Sequence, residues 1–572
     1  MPRTPFLSKL TGLASAQRRA RKLGIDVPEA LGRRDELLAT DAGLTRRQVL
    51  KRAALVGAGM TVAGRAVLDP ARAFAGGPGR GHHNQARIAI IGAGISGMTA
   101  AMTLKDAGFS NITVYEASDH VGGRTYTRKD DGFWEPGQWT EWGGELVDSA
   151  HDLMFALCDR FGFGTIDLTT TVTPGSSDVL YFGGGYYRWS DMVRDWEHAG
   201  MDNVIAADMA NLPDFPWAYN DPGWTPAGIA LDNMSLYDWI ETRVPGGHHS
   251  RLGQFIDVAY AIEYGEDTRR QGATDLLGLL GFPTGDPFWI YAASDERYKI
   301  VGGNQQISLA QADYLGGSNM RLGWSLTSLV RNRDGTLSAT FDVGSGRAPT
   351  VTADHVILAI PLGVMKRLKA AGAFSQAFND PRKSGLIDAL GFGADNKLQL
   401  QISDRFWTNP GPWGNSDGES YADTGYQEAW HVTEGQPGRT GIINNYTGGD
   451  TSRLLNPSKP WSDTSDASPY VRNYVTSAAR AFLAQIEPVF PGMTRKWTGK
   501  AQLSVWHVSP FHYGAYAYWT PGYMHRFSTY EGVPIGPIHF AGEHTSSNFQ
   551  GYMEGAAEEG QRAANEVVAA YP

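Results

Sequence analysis

The stretch ARIAIIGAGISGMTAAMTLKDAGFSNITVYEAS, residues 86–118, constrains the chain more than any other. Its apolar run at 87–91 reads as a buried strand, 95–107 as a helix and 112–116 as a second strand, which together make a βαβ unit. Gly92, Gly94 and Gly97 stand between the first strand and the helix in the order GxGxxG, with Ser96 inside the turn. Glu116 ends the second strand and Ala117 follows it. The glycines permit a tight turn and let a pyrophosphate approach the helix N-terminus, while Glu116 can accept hydrogen bonds from ribose hydroxyls. A purely structural glycine turn is the alternative. Strand, helix and acid together favour dinucleotide binding.

Composition agrees with a ligand-binding globular protein. The 572 residues allow more than one domain, 42% hydrophobic residues allow substantial cores, and the 70 glycines are well above ordinary usage. A single cysteine, Cys158, rules out an internal disulfide framework, and neither a CxxC pair nor an HExxH helix supplies metal ligands. Redox chemistry therefore requires an organic cofactor.

Charge divides the chain. The first 75 residues hold 14 Lys+Arg and 6 Asp+Glu, and the remainder holds 36 and 54, a balance of −18 that disfavours nucleic acid and anionic membranes as partners. Within the basic segment, LTRRQVLKRAALVGAGMTVAG places Arg46-Arg47 before a modestly apolar run, and Ala73-Phe74-Ala75 follows as an A-x-A site. It resembles a twin-arginine export signal cleaved after Ala75, with an ordinary basic helix as the alternative. The run is too short for a stable membrane anchor. The expected partner is the twin-arginine export machinery and the expected location periplasmic or extracellular. That route exports folded proteins and suits one that binds its cofactor first. The long leader before Thr45 leaves the start codon open.

Downstream, 76–85 has a linker's composition. Two strand-like runs joined by an Asp-Gly turn lie at 321–343, followed by a strand leading into a helix at 349–368. KLQLQISDRFW alternates strictly, with Leu398, Leu400 and Ile402 on one face and Lys397, Gln399 and Gln401 on the other. Further strands are expected in YQEAWHV, GIINNYTGG and IHFAGE, and a helix in SPYVRNYVTSAARAFLAQIEPVF. The loop 408–423 is ambiguous. The order predicts an α/β protein in which a Rossmann-like dinucleotide-binding domain, assembled discontinuously, carries an inserted mixed α+β substrate-binding domain. The boundaries are 1–75 signal, 76–85 linker, 86–155, 298–372 and 506–572 dinucleotide-binding, and 156–297 (helical) and 373–505 (sheet) substrate-binding. Ligands gather where such domains meet.

GGRTYT, with Gly122, Gly123 and Arg124 close behind Glu116, favours FAD over NAD. Together with EWGGELVD, RYKIVGGNQQISLAQA, VILAIPLGVMK, KLQLQISDRFW and IHFAGEHTSSNFQGYMEGAAEEGQRAA, it makes most of residues 86–572 resemble the flavin amine oxidase superfamily, which includes monoamine, polyamine and L-amino acid oxidases. The insert matches far less well.

The resemblance implies that Arg124 binds the FAD phosphates and that Gly143, Gly144, Glu145 and Leu146 pass the flavin ring. It implies cofactor contacts also from Leu326, Glu543, Gly551, Tyr552, Met553 and Ala556. Lys397 matches the lysine that holds a water beside flavin N5 and assists reoxidation by O2; a solvated strand face is the plainer reading. Tyr516 and Tyr552 match the aromatic pair that faces across the flavin and aligns the amine, although by periodicity alone both would be core residues. Some relatives bind FAD covalently through a cysteine just before the first tyrosine. Here that residue is Ala515, so noncovalent FAD is expected. The helix after Tyr552 would direct its positive dipole end to the reduced flavin.

Two motifs are set aside: Gly414-Asn-Ser416-Asp-Gly418 lacks the strand-to-helix setting of a nucleophile elbow, and His82-His83 lies in the linker.

The implied reaction passes hydride from the amine-bearing carbon to flavin N5. The imine hydrolyses to a carbonyl or 2-oxo acid and ammonia, and O2 becomes H2O2. In venom-type L-amino acid oxidases an arginine grips the substrate carboxylate at the position that aligns with Leu146. Here Glu145 and Asp148 lie nearby, and they could attract a second positive charge or merely bond locally. Trp519, in HYGAYAYWTPG, is a further substrate candidate. An L-amino acid is slightly favoured, a basic one being one option, with a polyamine or monoamine as the alternative. A desaturase-type flavoprotein and a non-catalytic FAD-binding protein are more remote, and a homodimer is one option for assembly.

Overall fold

The structure, a computed structural model, describes residues 85–281, 290–291 and 294–571. The twin-arginine segment and His82-His83 lie outside these residues.

Strand Ile88–Ile91 is buried at all four positions and sits at the centre of a five-stranded parallel sheet. Its neighbours are Ile112–Glu116 on one side, followed by Met320–Leu322, and His355–Leu358 on the other, followed by Ile538–Phe540. A parallel sheet covered on both faces requires near-continuous apolar runs, which IAII and HVIL supply. The expected βαβ unit is therefore in place, with its helix at Ile95–Asp106. Across it lies the last helix, Met553–Ala569. Ala100, Ala101, Ala563 and Ala564 are fully buried between the two, and any side chain at Gly560 would strike the Ser96 carbonyl. Small residues thus let the chain's first and last motifs touch.

The alternating strand Asn396–Ile402 lies inside an eight-stranded sheet, between Trp497–Val505 and Gly441–Thr447. Leu398, Leu400 and Ile402 pack under helix Pro469–Ile486, against Val475, Phe482 and Leu483. The polar face is buried too, at Lys397, Gln399 and Gln401 alike. Alternation in the sequence marks two different faces but does not say that water covers the second.

The Asp-Gly turn joins strands Ser325–Arg331 and Leu337–Asp342, with Gly335 left-handed at φ +89°. The loop with the GxSxG match contains a buried Ser416 whose hydroxyl accepts the Gly418 amide, so it closes a turn rather than exposing a nucleophile. Among the helices between residues 189 and 280, Arg251–Glu263 matters most for function. Ser250 caps its start through the Gly253 amide, Phe255, Ile256, Ala259 and Tyr260 bury one side, and its C-terminal end points into the interior. No helix among the described residues is long and apolar enough to cross a membrane.

Candidate active site

A groove of about 520 Å³ opens at the carboxyl ends of the parallel strands, as expected for such sheets. Gly92 is left-handed there at φ +105°, and a side chain on it would overlap the Ala359 carbonyl. Gly94 caps the helix, and a Cβ on it would come no nearer than 3.9 Å to any protein atom, so bare backbone faces the groove. Gly97, expected beside the cofactor, is off the groove. Its missing side chain lets the helix rest on the Gly92 carbonyl. Glu116 is oriented by the Ala93 amide at 2.7 Å and the Ser118 amide at 2.8 Å. Ser96, Ala117, Gly123, Arg124, Gly144, Leu326, Glu543, Gly551, Tyr552, Met553 and Ala556 share the groove lining.

Glu543 ties the two ends of the chain together. One oxygen accepts Arg124 Nη1 at 2.9 Å and the other the Gly551 amide at 2.9 Å. Gly551 is left-handed at φ +90°, Tyr552 returns to an extended conformation as N-cap, and no side chain caps the helix that follows. An uncapped helix N-terminus offers donors and a positive dipole end to a ligand. Bare glycine backbone, Glu116, Arg124 and this terminus along one groove fit FAD. Ala515 offers no nucleophile for a covalent link, and Cys158 is buried against Met154 and Leu157.

Beyond Gly144 and Tyr552 the groove meets a cavity of about 170 Å³, lined by Gly143, Glu145, Leu146, Lys397, Tyr516 and Tyr552 among others. The two tyrosines are anchored on consecutive residues at the end of helix Arg251–Glu263. Tyr516 Oη donates to the Ile262 carbonyl at 3.1 Å, and Tyr552 Oη to Glu263 Oε1 at 3.0 Å. Tyr446 Oη adds a 3.0 Å contact to Tyr516 Oη. Strand register explains another wall: Lys397 and Glu428 both pair with Tyr446, so the three stand in one row across adjacent strands, and Trp430 lies two residues along from Glu428.

Charge inside the cavity is unequal. Lys397 Nζ donates to Glu145 Oε2 at 2.8 Å, and Lys299 Nζ lies 3.1 Å from Glu145 Oε1. Burial alone would raise the Glu145 carboxyl, but the two lysines bring it down to about 2. Glu263, Glu296, Asp395 and Glu428 also line the cavity. Burial pushes all four above the usual carboxylate range, and mutual repulsion adds to it: Glu263 and Glu428 raise Glu296, and Glu263 raises Asp395. Asp395 is 2% exposed, and neither of its oxygens has a hydrogen-bond partner among the described residues.

The three residues expected to meet the substrate stand in different places. Glu145 is on the cavity, but its charge is consumed by Lys397 and Lys299. Asp148 is not in the lining: its Oδ1 accepts Ser294 Oγ at 3.0 Å and the Glu296 amide at 2.7 Å. Trp519 is also off the cavity, its ring edge-on to Trp217 with centroids 6.0 Å apart. Sequence reasoning missed Lys299, Glu263, Glu296, Asp395, Glu428 and Tyr446. The row on neighbouring strands was within reach of an alternation argument, because Glu428 and Tyr446 lie in strands that were read. The other residues carry no local signal.

A family model described as flavin containing amine oxidoreductase matches residues 95–568. The probable flavin-containing monoamine oxidase A of Dictyostelium discoideum is 24% identical over 504 residues, covering 84% of this chain and 97% of that protein. The L-amino-acid oxidase of Mus musculus is 25% identical over 497 residues, covering 84% and 70%. In fold, the chain resembles a putrescine oxidase solved bound to putrescine, with a TM-score of 0.64 at 20% identity over 85% of this chain and 99% of that one.

Proposed function

The chain belongs to the flavin-containing amine oxidoreductase family, and from that premise we propose that it oxidises a primary amine carrying a second positive charge, with O2 as acceptor, in preference to an L-amino acid. The charge balance of the cavity carries this reading. Four carboxyl groups line it, whereas its lining cations are already engaged: Lys397 with Glu145, and Arg124 with Glu543 and the Ala515 carbonyl. Leu146 stands where an arginine would hold an amino-acid carboxylate. A carboxylate entering here would lose its water without gaining a counter-ion, whereas an ammonium meets acids, aromatic faces and the negative end of helix Arg251–Glu263.

FAD bound in the groove supplies a two-electron acceptor, so that the amine-bearing carbon is oxidised to an imine, which hydrolyses to a carbonyl and ammonia, and O2 is reduced to H2O2. Tyr516 and Tyr552, each held at its hydroxyl, keep their rings at the junction of groove and cavity and guide the amine. Trp430, Tyr446 and Trp506 line the same space and exclude water. Lys397 places positive charge beside the Gly143-Gly144 segment, where it assists O2 reduction, and Glu145 fixes its direction. The likeness in fold to a putrescine oxidase is consistent with a dicationic substrate.

The test is a panel of 1,4-diaminobutane, n-butylamine, L-lysine and L-leucine given to the FAD-loaded enzyme, with peroxide release and loss of flavin absorbance as readouts. The diamine is expected to lead. An L-amino acid as the best substrate overturns the preference, and no peroxide with any amine overturns the oxidase reading.

For location, the proposal is export in folded form by the twin-arginine route and cleavage after Ala75, supported by Arg46-Arg47 and the A-x-A site. Arg46→Lys with Arg47→Lys should hold the protein in the cytoplasm, and unchanged export refutes it.

A further inference from the structure

Glu296 departs from ordinary backbone geometry. It is a non-glycine residue at φ +38°, a conformation that β-carbon sterics disfavour, yet it lies against the cavity. Two reciprocal carboxylate clamps hold it there. Asp148 Oδ1 accepts the Glu296 amide at 2.7 Å and Ser294 Oγ at 3.0 Å, and Asp295 accepts the Ser149 amide at 2.7 Å and Ser149 Oγ at 2.5 Å. Both clamps sit beside the backbone bridge between Val147 and Tyr298, which registers the two segments. Asp148 is itself buried, with its other oxygen 3.5 Å from His151 Nε2, and the His151 ring lies edge-on to Tyr552.

This construction delivers a carboxyl group to the cavity that Glu263 and Glu428 also line, two acids it would otherwise avoid. One Glu296 oxygen, Oε2, has no hydrogen-bond partner among the described residues. Asp395, 2% exposed, lines the same cavity with both oxygens likewise unpartnered. Left-handed strain and mutual repulsion both oppose the arrangement when the cavity is empty. A cation among these oxygens relieves the repulsion and satisfies the unpartnered atoms.

We propose that Glu296 is the residue that selects the second ammonium of a diamine or polyamine, and that Asp148 is its positioning residue, holding residue 296 in the left-handed conformation that brings its carboxyl to the cavity. The proposal rests on the amine-oxidase reading above and adds to it the residues that discriminate substrates. Asp148, expected from sequence to meet the substrate, acts through the backbone of Glu296 instead.

The test compares kcat and KM for 1,4-diaminobutane and n-butylamine in the FAD-loaded wild-type enzyme and in Glu296→Gln, Asp148→Ala and Asp148→Asn. Loss of a charged hydrogen bond predicts that the diamine-to-monoamine ratio of kcat/KM falls at least about tenfold in Glu296→Gln and Asp148→Ala, through KM of the diamine. Asp148→Asn retains an oxygen acceptor for the Glu296 amide and is expected to keep the ratio within about threefold of wild type. A merely structural role for Asp148 would lower both substrates together and leave the ratio unchanged. That result, or an unchanged ratio in Glu296→Gln, overturns the proposal. Should Asp148→Ala not fold, Glu296→Gln and Asp148→Asn still decide it. Failure of every amine to turn over in wild type refutes the underlying reading, whereas equal use of diamine and monoamine by wild type refutes this inference alone.

Discussion

The groove and the cavity adjoin at Gly144, Tyr516 and Tyr552, yet they are built on opposite principles. The groove is made chiefly of backbone: left-handed Gly92, bare Gly94, and a helix start at Tyr552 without a side-chain cap. The cavity is made of side chains whose charges must cancel, Lys397 and Lys299 on Glu145, with four further acids left uncompensated. The groove draws mainly on main-chain geometry, to which Glu116, Arg124 and Glu543 add charge. Choosing a substrate needs charge, and charge is set by partners from distant segments.

Substitutions at the two regions should therefore fail differently. The largest effect is expected from Gly92→Val, which strains a φ of +105° and drives a side chain into Ala359; the purified protein should lack FAD absorbance. A yellow, fully loaded Gly92→Val would break the contrast.

On the cavity side, Glu145→Gln leaves two buried ammonium groups without their counter-ion, and loss of one partner of a buried pair costs about 3–5 kcal/mol. Denaturant unfolding should register that loss, and adding Lys299→Met should restore part of it. Lys397→Met removes the charge assigned to O2 reduction. By analogy with the loss of one preorganised electrostatic group, it should slow flavin reoxidation by about 100-fold in stopped-flow mixing with O2, and reoxidation at the wild-type rate would remove Lys397 from that role.

The smallest effect concerns pH. Glu263, Glu296 and Glu428 have folded values raised above the unfolded carboxyl, by burial first. Nearby acids add to it: Glu428 and Asp148 at Glu263; Glu263, Asp148 and Glu428 at Glu296; and Asp178 at Glu428. The folded state therefore holds more protons than the unfolded state above pH ~4.5, so stability is highest below that value and falls as pH rises through the raised values. Each such group contributes a slope of up to ~1.4 kcal/mol per pH unit. Urea midpoints between pH 5 and 8 should fall less steeply in Glu296→Gln than in wild type. An identical slope would mean that Glu296 ionises as freely as an exposed acid.

How much could be read beforehand follows the same division. The βαβ unit, the glycine turn, Glu116 and the helix beginning after Tyr552 are each encoded within a few residues, so pattern and spacing found them. Gly97 has a packing reason as well, since its missing side chain lets the helix rest on the Gly92 carbonyl. Lys397 was located, but not the burial of its whole strand face, because covering that face depends on Glu141, Glu145 and Gln502 from other parts of the chain. Asp148 was singled out for its charge and proximity to Leu146. Its side chain turns instead toward residues 294–296, a contact that bridges nearly 150 positions.

Pattern and spacing were thus enough to specify a nucleotide-binding α/β core, because that property resides in local backbone geometry and in motifs of short range, whereas the pairing of Tyr516 with Tyr552 beside FAD came from the resemblance to flavin amine oxidases. The sign of the charge in the substrate cavity was settled only by folding. Residues 145, 263, 296, 299, 395, 397 and 428 meet through sheet register and helix packing, and whether a buried acid is spent on a lysine or left facing the cavity depends on which neighbour lies within about 3 Å.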